Sequence, residues 1–334
     1  MHRAILARHA RSLHGHLWLW RFPSRALGLR KPLFVYEPPG FESGAAYPTV
    51  WLFRGHEREW VNQQEDGSRA RSTAVEDVDA AIQARRLPPV VLVMPGLTSS
   101  NNHVHGVGID MAAPGLNPQP GLGTGRFWTY LTDELIPAVD RRYRASQRLA
   151  AGFSLGGFTV SLLAFGKPGW LDHAGFYDAL FTWPRHDDPR LTPRALHTDR
   201  VFTGASILSP AFGWPRDRAA LDRWNPTDWL IDSRPAGREP LRRTTYWIRC
   251  AAADGSRGNR DRALALQRLL RRRGLPLGYD SVVLHPEAAH TWHWCDRFLM
   301  DFLRDTLAQA PTRTPDDRIG KLSTPSPEPR TADQ

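Results

Sequence analysis

Residues 148–166, RLAAGFSLGGFTVSLLAFG, decide the fold. RLAAGF (148–153) is a short apolar run of strand type, and GGFTVSLLAFG (156–166) is a helix of small residues. Between them Gly152-Phe153-Ser154-Leu155-Gly156 spells G-x-S-x-G. A strand passing straight into a helix forces a sharp, strained turn at the serine, and the flanking glycines leave room for it. The hydroxyl is then presented above the sheet edge, at the positive end of the following helix. An incidental serine in a glycine-rich turn would need neither the apolar strand before it nor the helix after it.

Outward from this turn, short strand-type runs alternate with helix-length segments, the pattern of parallel strands joined by crossover helices. LWLWRF (17–22), PLFVYEP (32–38), TVWLF (49–53) and VVLVM (90–94) read as strands ahead of the turn. Thr73 and Glu76 form a capping box opening a helix with Val75, Val78 and Ile82 on one face. FWTYLTDELIPAVDRRYR (127–144) is a second helix, kinked at Pro137. Beyond the turn, FTGASILSP (202–210), TTYWIRCAAA (244–253) and YDSVVLHP (279–286) are the expected strands. NRDRALALQRLLRRRG (259–274) and the stripe Phe298, Leu299, Phe302, Leu303 are the expected helices. The Gly-, Asn- and Pro-rich stretch 97–126 is long for a loop and is either functional or an unread element. Residues 167–200 hold aromatics without alternation and read as an aromatic-rich, lid-like insert rather than part of the sheet. The expectation is a single α/β domain over residues 1–310, a mostly parallel, doubly wound sheet, with a polar, Pro-rich tail at 311–334 that has nothing to bury and is expected to be disordered.

Composition narrows the function. The 334 residues carry a net charge of +10, yet only Lys31, Lys167 and Lys321 are lysines and the arginines are spread among acids. That is a solvated arginine-rich surface, not the single basic face of a nucleic-acid binder. No apolar run reaches the ~18–20 residues of a membrane span, and Cys250 and Cys295 are too few for a disulfide scaffold. The first residues lack a continuous apolar signal segment, so the cytoplasm is the expected compartment.

A serine at its free pKa is a poor nucleophile and needs a base oriented by a third group. With this turn the chain order is nucleophile, acid, histidine, the last two at the ends of later strands. Asp254, closing the TTYWIRCAAA run, is the expected acid, and His290, in HPEAAHTWHW, the expected base. Asp261, Asp280 and Glu287 are the rival acids. An oxyanion hole needs two backbone N–H groups. Leu155, after the serine, supplies one. The loop Arg54-Gly55-His56-Glu57 supplies the other, with His56 N–H expected and Glu57 as the alternative. The histidine pairs 14/16, 103/105 and 290/293 lack a zinc spacing, and there is no phosphate-loop or dinucleotide motif, so no metal or cofactor is expected.

Four stretches together resemble the Putative esterase family of α/β-hydrolases, which groups esterase D-like enzymes, feruloyl esterases, enterochelin esterases and mycolyltransferases. They are SRALGLRKPLFVYEPPGF with YPTVWLFRGH, YLTDELIPAVDRRYR, AAGFSLGGF, and AAADG with AAHTWHWCDRFL. The resemblance implies an α/β-hydrolase fold, Ser154 as nucleophile, His290 as base, Asp254 as acid, and backbone donors at Leu155 and near His56. Arg54 and Ala289 stand where the family commonly has a histidine and a glycine. The expected activity is hydrolysis of a small-molecule carboxylic ester through an acyl-enzyme on Ser154. Acyl transfer to an alcohol is the alternative from the same residues, and a non-catalytic binding protein the alternative from the same fold.

Overall fold

The computed structural model describes residues 3–5, 13–69, 72–183, 208–233, 235–252 and 258–308. Among them, eight strands form one sheet: β1 (Arg3–Ile5), β2 (His16–Ser24), β3 (Leu29–Glu37), β4 (Ala46–Phe53), β5 (Val91–Pro95), β6 (Arg144–Phe153), β7 (His173–Tyr177) and β8 (Thr245–Arg249). Their order is β1-β2-β3-β5-β4-β6-β7-β8. β1, β2, β3 and β5 pair antiparallel in turn, and β5, β4, β6, β7 and β8 run parallel. The chain leaves β4 toward β5 on one side and returns as β6 on the other, so the order reverses between β4 and β6. In open α/β sheets ligands bind at the carboxyl ends of the strands beside such a reversal.

The helices are α1 (Ala74–Gln83), α2 (residues 127–142), α3 (Leu155–Gly166), the short α4 (Ser209–Phe212), α5 (Arg218–Arg223), α6 (Pro226–Asp232) and α7 (Pro235–Arg242), then α8 (Asn259–Arg272) and α9 (Trp292–Leu307). One core layer joins the sheet to α2, α3 and α8 through Leu131, Val139, Val160, Leu163, Leu266 and Leu270. The opposite layer joins it to α1 and α9 through Val75, Val78, Phe298, Leu299 and Phe302. Parallel strands covered on both faces are apolar throughout, and β5 and β7 are buried at every position. The capping box of Thr73 and Glu76 forms as expected. In α2, the turn Tyr130–Leu135 is π-helical just before Pro137, which has no N–H to continue the ladder.

Two strand assignments change. His173–Tyr177, inside the stretch read as an insert, is a central strand between β6 and β8. Gly175 is small because α9 presses on this face of the strand: a Cβ there would stand 3.2 Å from the Phe302 ring. Of the run 202–210, residues 202–207 lie outside the described residues, as do 184–201, and Ser209–Phe212 is helical. Residues 279–286 are not a ladder strand either. Val283 makes one parallel bridge to Cys250, and the Arg249 guanidinium takes the carbonyls of Ser281 and Val283. The tail from 311 on lies outside the described residues.

The stretch 97–126 is irregular but packed. Val104, Ile109 and Leu122 are buried, and the buried Lys31 ammonium on β3 donates to Thr98 O and, at 2.8 Å, to Gly121 O. Burial lowers the Lys31 pKa to about 8, despite the nearby Glu57 carboxylate.

The serine turn has no spare volume. A Cβ on Gly156 would lie 1.8 Å from Phe53 O, one on Gly152 2.5 Å from the Gly156 backbone, and one on Gly157 2.2 Å from the Ala179 Cβ. Gly156→Ala is therefore expected to destabilise by about 3 kcal/mol, the upper end for overpacking because the atom met is backbone. Gly67→Ala, with nothing within 4 Å of the added Cβ, should stay within about 0.5 kcal/mol. Urea unfolding of the two variants checks the contrast.

Candidate active site

Ser154 sits at φ 55°, ψ −119°, a conformation an L-residue holds only when its surroundings enforce it. The enforcement comes from the neighbouring strand: Ser154 N donates to Tyr177 O at 3.3 Å and Ser154 O accepts from Leu180 N at 2.9 Å. Leu155 opens α3, where a first-turn N–H has no acceptor within the helix. Ser154 and Leu155 thus stand at the carboxyl edge of the sheet, beside the strand-order reversal.

The end of β7 lies next to the end of β6, with Phe153 paired to Tyr177. The following residue, Asp178, also has a left-handed backbone, φ 40°. Its Oδ2 binds His290 Nδ1 in a short hydrogen bond. Its Oδ1 accepts from Ala251 N at 3.1 Å, and Asn259 Nδ2 reaches both its carbonyl and its carboxylate. Burial pulls the Asp178 carboxyl toward protonation. The His290 hydrogen bond and charge, with Ala251 N–H and Asn259, outweigh it and hold the pKa below the ordinary carboxylate value. The Asp178 side chain is 6% exposed and that of His290 28%, so the acid is sealed while the imidazole opens to solvent. With Nδ1 donating to Asp178, Nε2 is the basic nitrogen.

His290 is held from two sides. Tyr177 Oη donates to Ala289 O at 2.6 Å, and the His290 ring lies 4.7 Å from the Phe153 ring. Two residues on, Trp292 starts α9, fully buried, edge-on to Phe153 at 5.2 Å and to Trp60 at 4.8 Å.

The His290 ring lies against Phe153, the residue before Ser154, and the carboxylate on this histidine is Asp178. Asp254, the expected acid, lies outside the described residues. Asp178 was missed because its strand was missed; the signal was HAGFY, five apolar or neutral residues ending in an acid. Of the rival acids, Asp261 is on α8 and Asp280 takes part in an exposed pair with Arg271. The expected second oxyanion donor, His56 N–H, has a protein acceptor. His56 N–H donates to Glu59 Oε1 at 3.0 Å, as part of a capping box on the turn Glu57–Trp60, so it is already committed. The His56 ring accepts from Arg58 N; burial, then Arg58, His105 and Lys31, lower its pKa to about 4 and keep it neutral. His105, also lowered to about 4 by burial and Arg54, bonds Gly55 O through Nδ1 at 3.0 Å and backs the same loop.

Several of the aromatic residues pack on one another. Trp170 stands edge-on to Trp51, Trp224 and Trp229 cluster with Trp128, and Phe181 sits on Phe176. The segment Ser99–His103 closes on itself, Ser99 Oγ accepting from His103 N and Val104 N.

The chain matches the model of the family described as Putative esterase over residues 24–306. It belongs to that family. The enzyme is a serine esterase on an α/β-hydrolase fold. Its backbone is similar to that of a ferulic acid esterase at 16% identity and a TM-score of 0.65, over 89% of this chain and 99% of that one. It is also similar to an S-formylglutathione hydrolase from Agrobacterium tumefaciens (17% identity, TM-score 0.57, 89% and 95% covered). A fluorophosphonate-binding serine hydrolase from Staphylococcus aureus aligns at 15% identity and a TM-score of 0.55, over 86% and 97%. No curated protein matches by sequence. No helix among the described residues is long and apolar enough to cross a membrane.

The lowered Asp178 pKa fixes a sign. A carboxyl held below its unfolded value of 3.8 stabilises the folded state fully above that value and loses the contribution as pH falls below it. Between about pH 5 and about pH 3 the urea midpoint should fall more steeply for the wild type than for Asp178→Asn. Parallel curves would count against an ionised Asp178 in the folded enzyme.

Proposed function

We propose that Ser154, His290 and Asp178 are the nucleophile, base and orienting acid of this esterase. The observation that carries the reading is the strained Ser154 turn, held by the strand whose last residue leads directly into the carboxylate bound to His290. Ser154 Oγ attacks the ester carbonyl as His290 Nε2 takes its proton. The tetrahedral oxyanion is met by Leu155 N–H. As it collapses, the C–O bond breaks and the imidazolium returns the proton to the leaving alcohol. Water, deprotonated by the same nitrogen, then attacks the acyl-enzyme and releases the carboxylic acid and free Ser154. Asp178 keeps the imidazole in the Nδ1–H tautomer and balances its charge in each half-reaction. His56 N–H, bound to Glu59, takes no part in this scheme.

On p-nitrophenyl acetate, Ser154→Ala is expected to abolish turnover, and His290→Ala to block labelling of Ser154 by a fluorophosphonate. Asp178→Asn should lower kcat by about 10²–10⁴-fold, the cost of a wrong tautomer, while Asp254→Asn should leave it within about threefold. The reverse ranking of the two aspartates would overturn Asp178 as the acid without touching the nucleophile.

A further inference from the structure

One buried carboxylate outside the three reacting groups joins the loop over the serine turn to the loop that carries the histidine. Glu59 Oε1 accepts His56 N–H at 3.0 Å. Its Oε2 accepts Trp292 Nε1–H at 3.1 Å and stands 3.1 Å from Arg54 Nε. The three partners, two hydrogen-bond donors and one ion-pair cation, come from the end of β4, the loop after it and the start of α9. Each leads to the site by a short path. Arg54 follows Phe53, whose carbonyl lies against Gly156 of the serine turn. The Arg54 guanidinium covers the Phe153 ring at 4.5 Å, and that ring touches His290. Trp292 is two residues from His290 and packs on the same Phe153 ring.

We propose that Glu59 is a positioning residue: it sets the distance between the Arg54–His56 loop and His290, and so aligns the base with the serine turn. This rests on the reading of Ser154 and His290 above. A buried carboxylate is costly to desolvate, and burial raises the Glu59 pKa against the pull of Arg54, Trp292 and His56 N–H. What it supplies in return is acceptor capacity. Two charged oxygens can take an N–H and an indole while pairing with a guanidinium, whereas glutamine offers one neutral oxygen and turns an N–H₂ toward a donor. The surroundings favour a fixed unit. Arg69 donates to Glu59 O, forms a bidentate pair with Asp296 on α9 and lies 4.0 Å over the Trp292 ring. Ser68 Oγ accepts Trp292 N–H at 3.1 Å. The 59–69 segment therefore grips the first turn of α9 directly behind the histidine loop.

The test measures kcat per active site, with sites counted by fluorophosphonate titration, for the wild type, Glu59→Gln, Trp292→Phe and the double variant on p-nitrophenyl acetate. A small displacement of the base costs up to about 10²-fold. Glu59→Gln is thus expected to lower kcat per titrated site by about 30-fold and Trp292→Phe by about 5-fold, with KM within about 3-fold. The double variant should be no slower than Glu59→Gln by more than about twofold, because both changes cut the same link. A normal kcat per titrated site with fewer titratable sites would show a purely structural role and overturn the proposal. So would losses that multiply. If Glu59→Gln does not fold, Trp292→Phe, which keeps the ring, decides alone: an unchanged kcat per site overturns the link. Failure of the wild type itself to be labelled at Ser154 would instead sink the reading of the nucleophile.

Discussion

The contact between Gly156 and the carbonyl of Phe53 is the constraint from which the rest of the site follows. Helix α3 begins so close to the end of β4 that no side-chain carbon fits between them. The chain can pass from β6 into α3 only through a turn tight enough to force Ser154 to positive φ. Glycines at 152, 156 and 157 are the residues that let strand, helix and the next strand close up around it. The strain is local, and the hydrogen bonds that Ser154 N donates to Tyr177 O and Ser154 O accepts from Leu180 N hold it in place.

Those two bonds tie Ser154 to β7 and its exit, and β7 leads into the Asp178 carboxylate. Asp178 takes its own left-handed turn one residue past the strand, which aims its carboxylate at His290 rather than along the sheet. The imidazole of His290 is therefore bound by the residue that follows the strand adjacent to the serine turn. The energetic logic is that of a sealed acid and an open base. Asp178 gives up solvent for three donors, while His290 keeps a face exposed to whatever is bound.

Around this core the buried polar groups serve as ties between elements more than as surface charge. Lys31 pins the long loop to β3, Arg69 joins the 59–69 segment to α9, and His105 backs Gly55. The abundance of arginine in the sequence is only partly a surface property. Arg54 and Arg69 spend their charge on aromatic faces and on carboxylates inside the fold.

The sequence alone determined the alternation of strands and helices and the serine turn, and it singled out Leu155 and His290 as candidates, because each is written in a local pattern: an apolar run, spaced glycines, a position after a chain segment. It could not determine β7. Five buried residues among Pro, Asp and aromatics carry no periodicity, and their burial comes from β6, β8 and α9, which are remote in sequence. With β7 unseen, Asp178 had no strand end to mark it, and Asp254 stood in the expected place. His56 N–H likewise looked free, since its acceptor Glu59 is fixed by Arg54 and by Trp292, a residue more than two hundred positions away. Local patterns say which residues can react. Which carboxylate meets the imidazole, and which N–H is already spent, is settled only when distant elements pack.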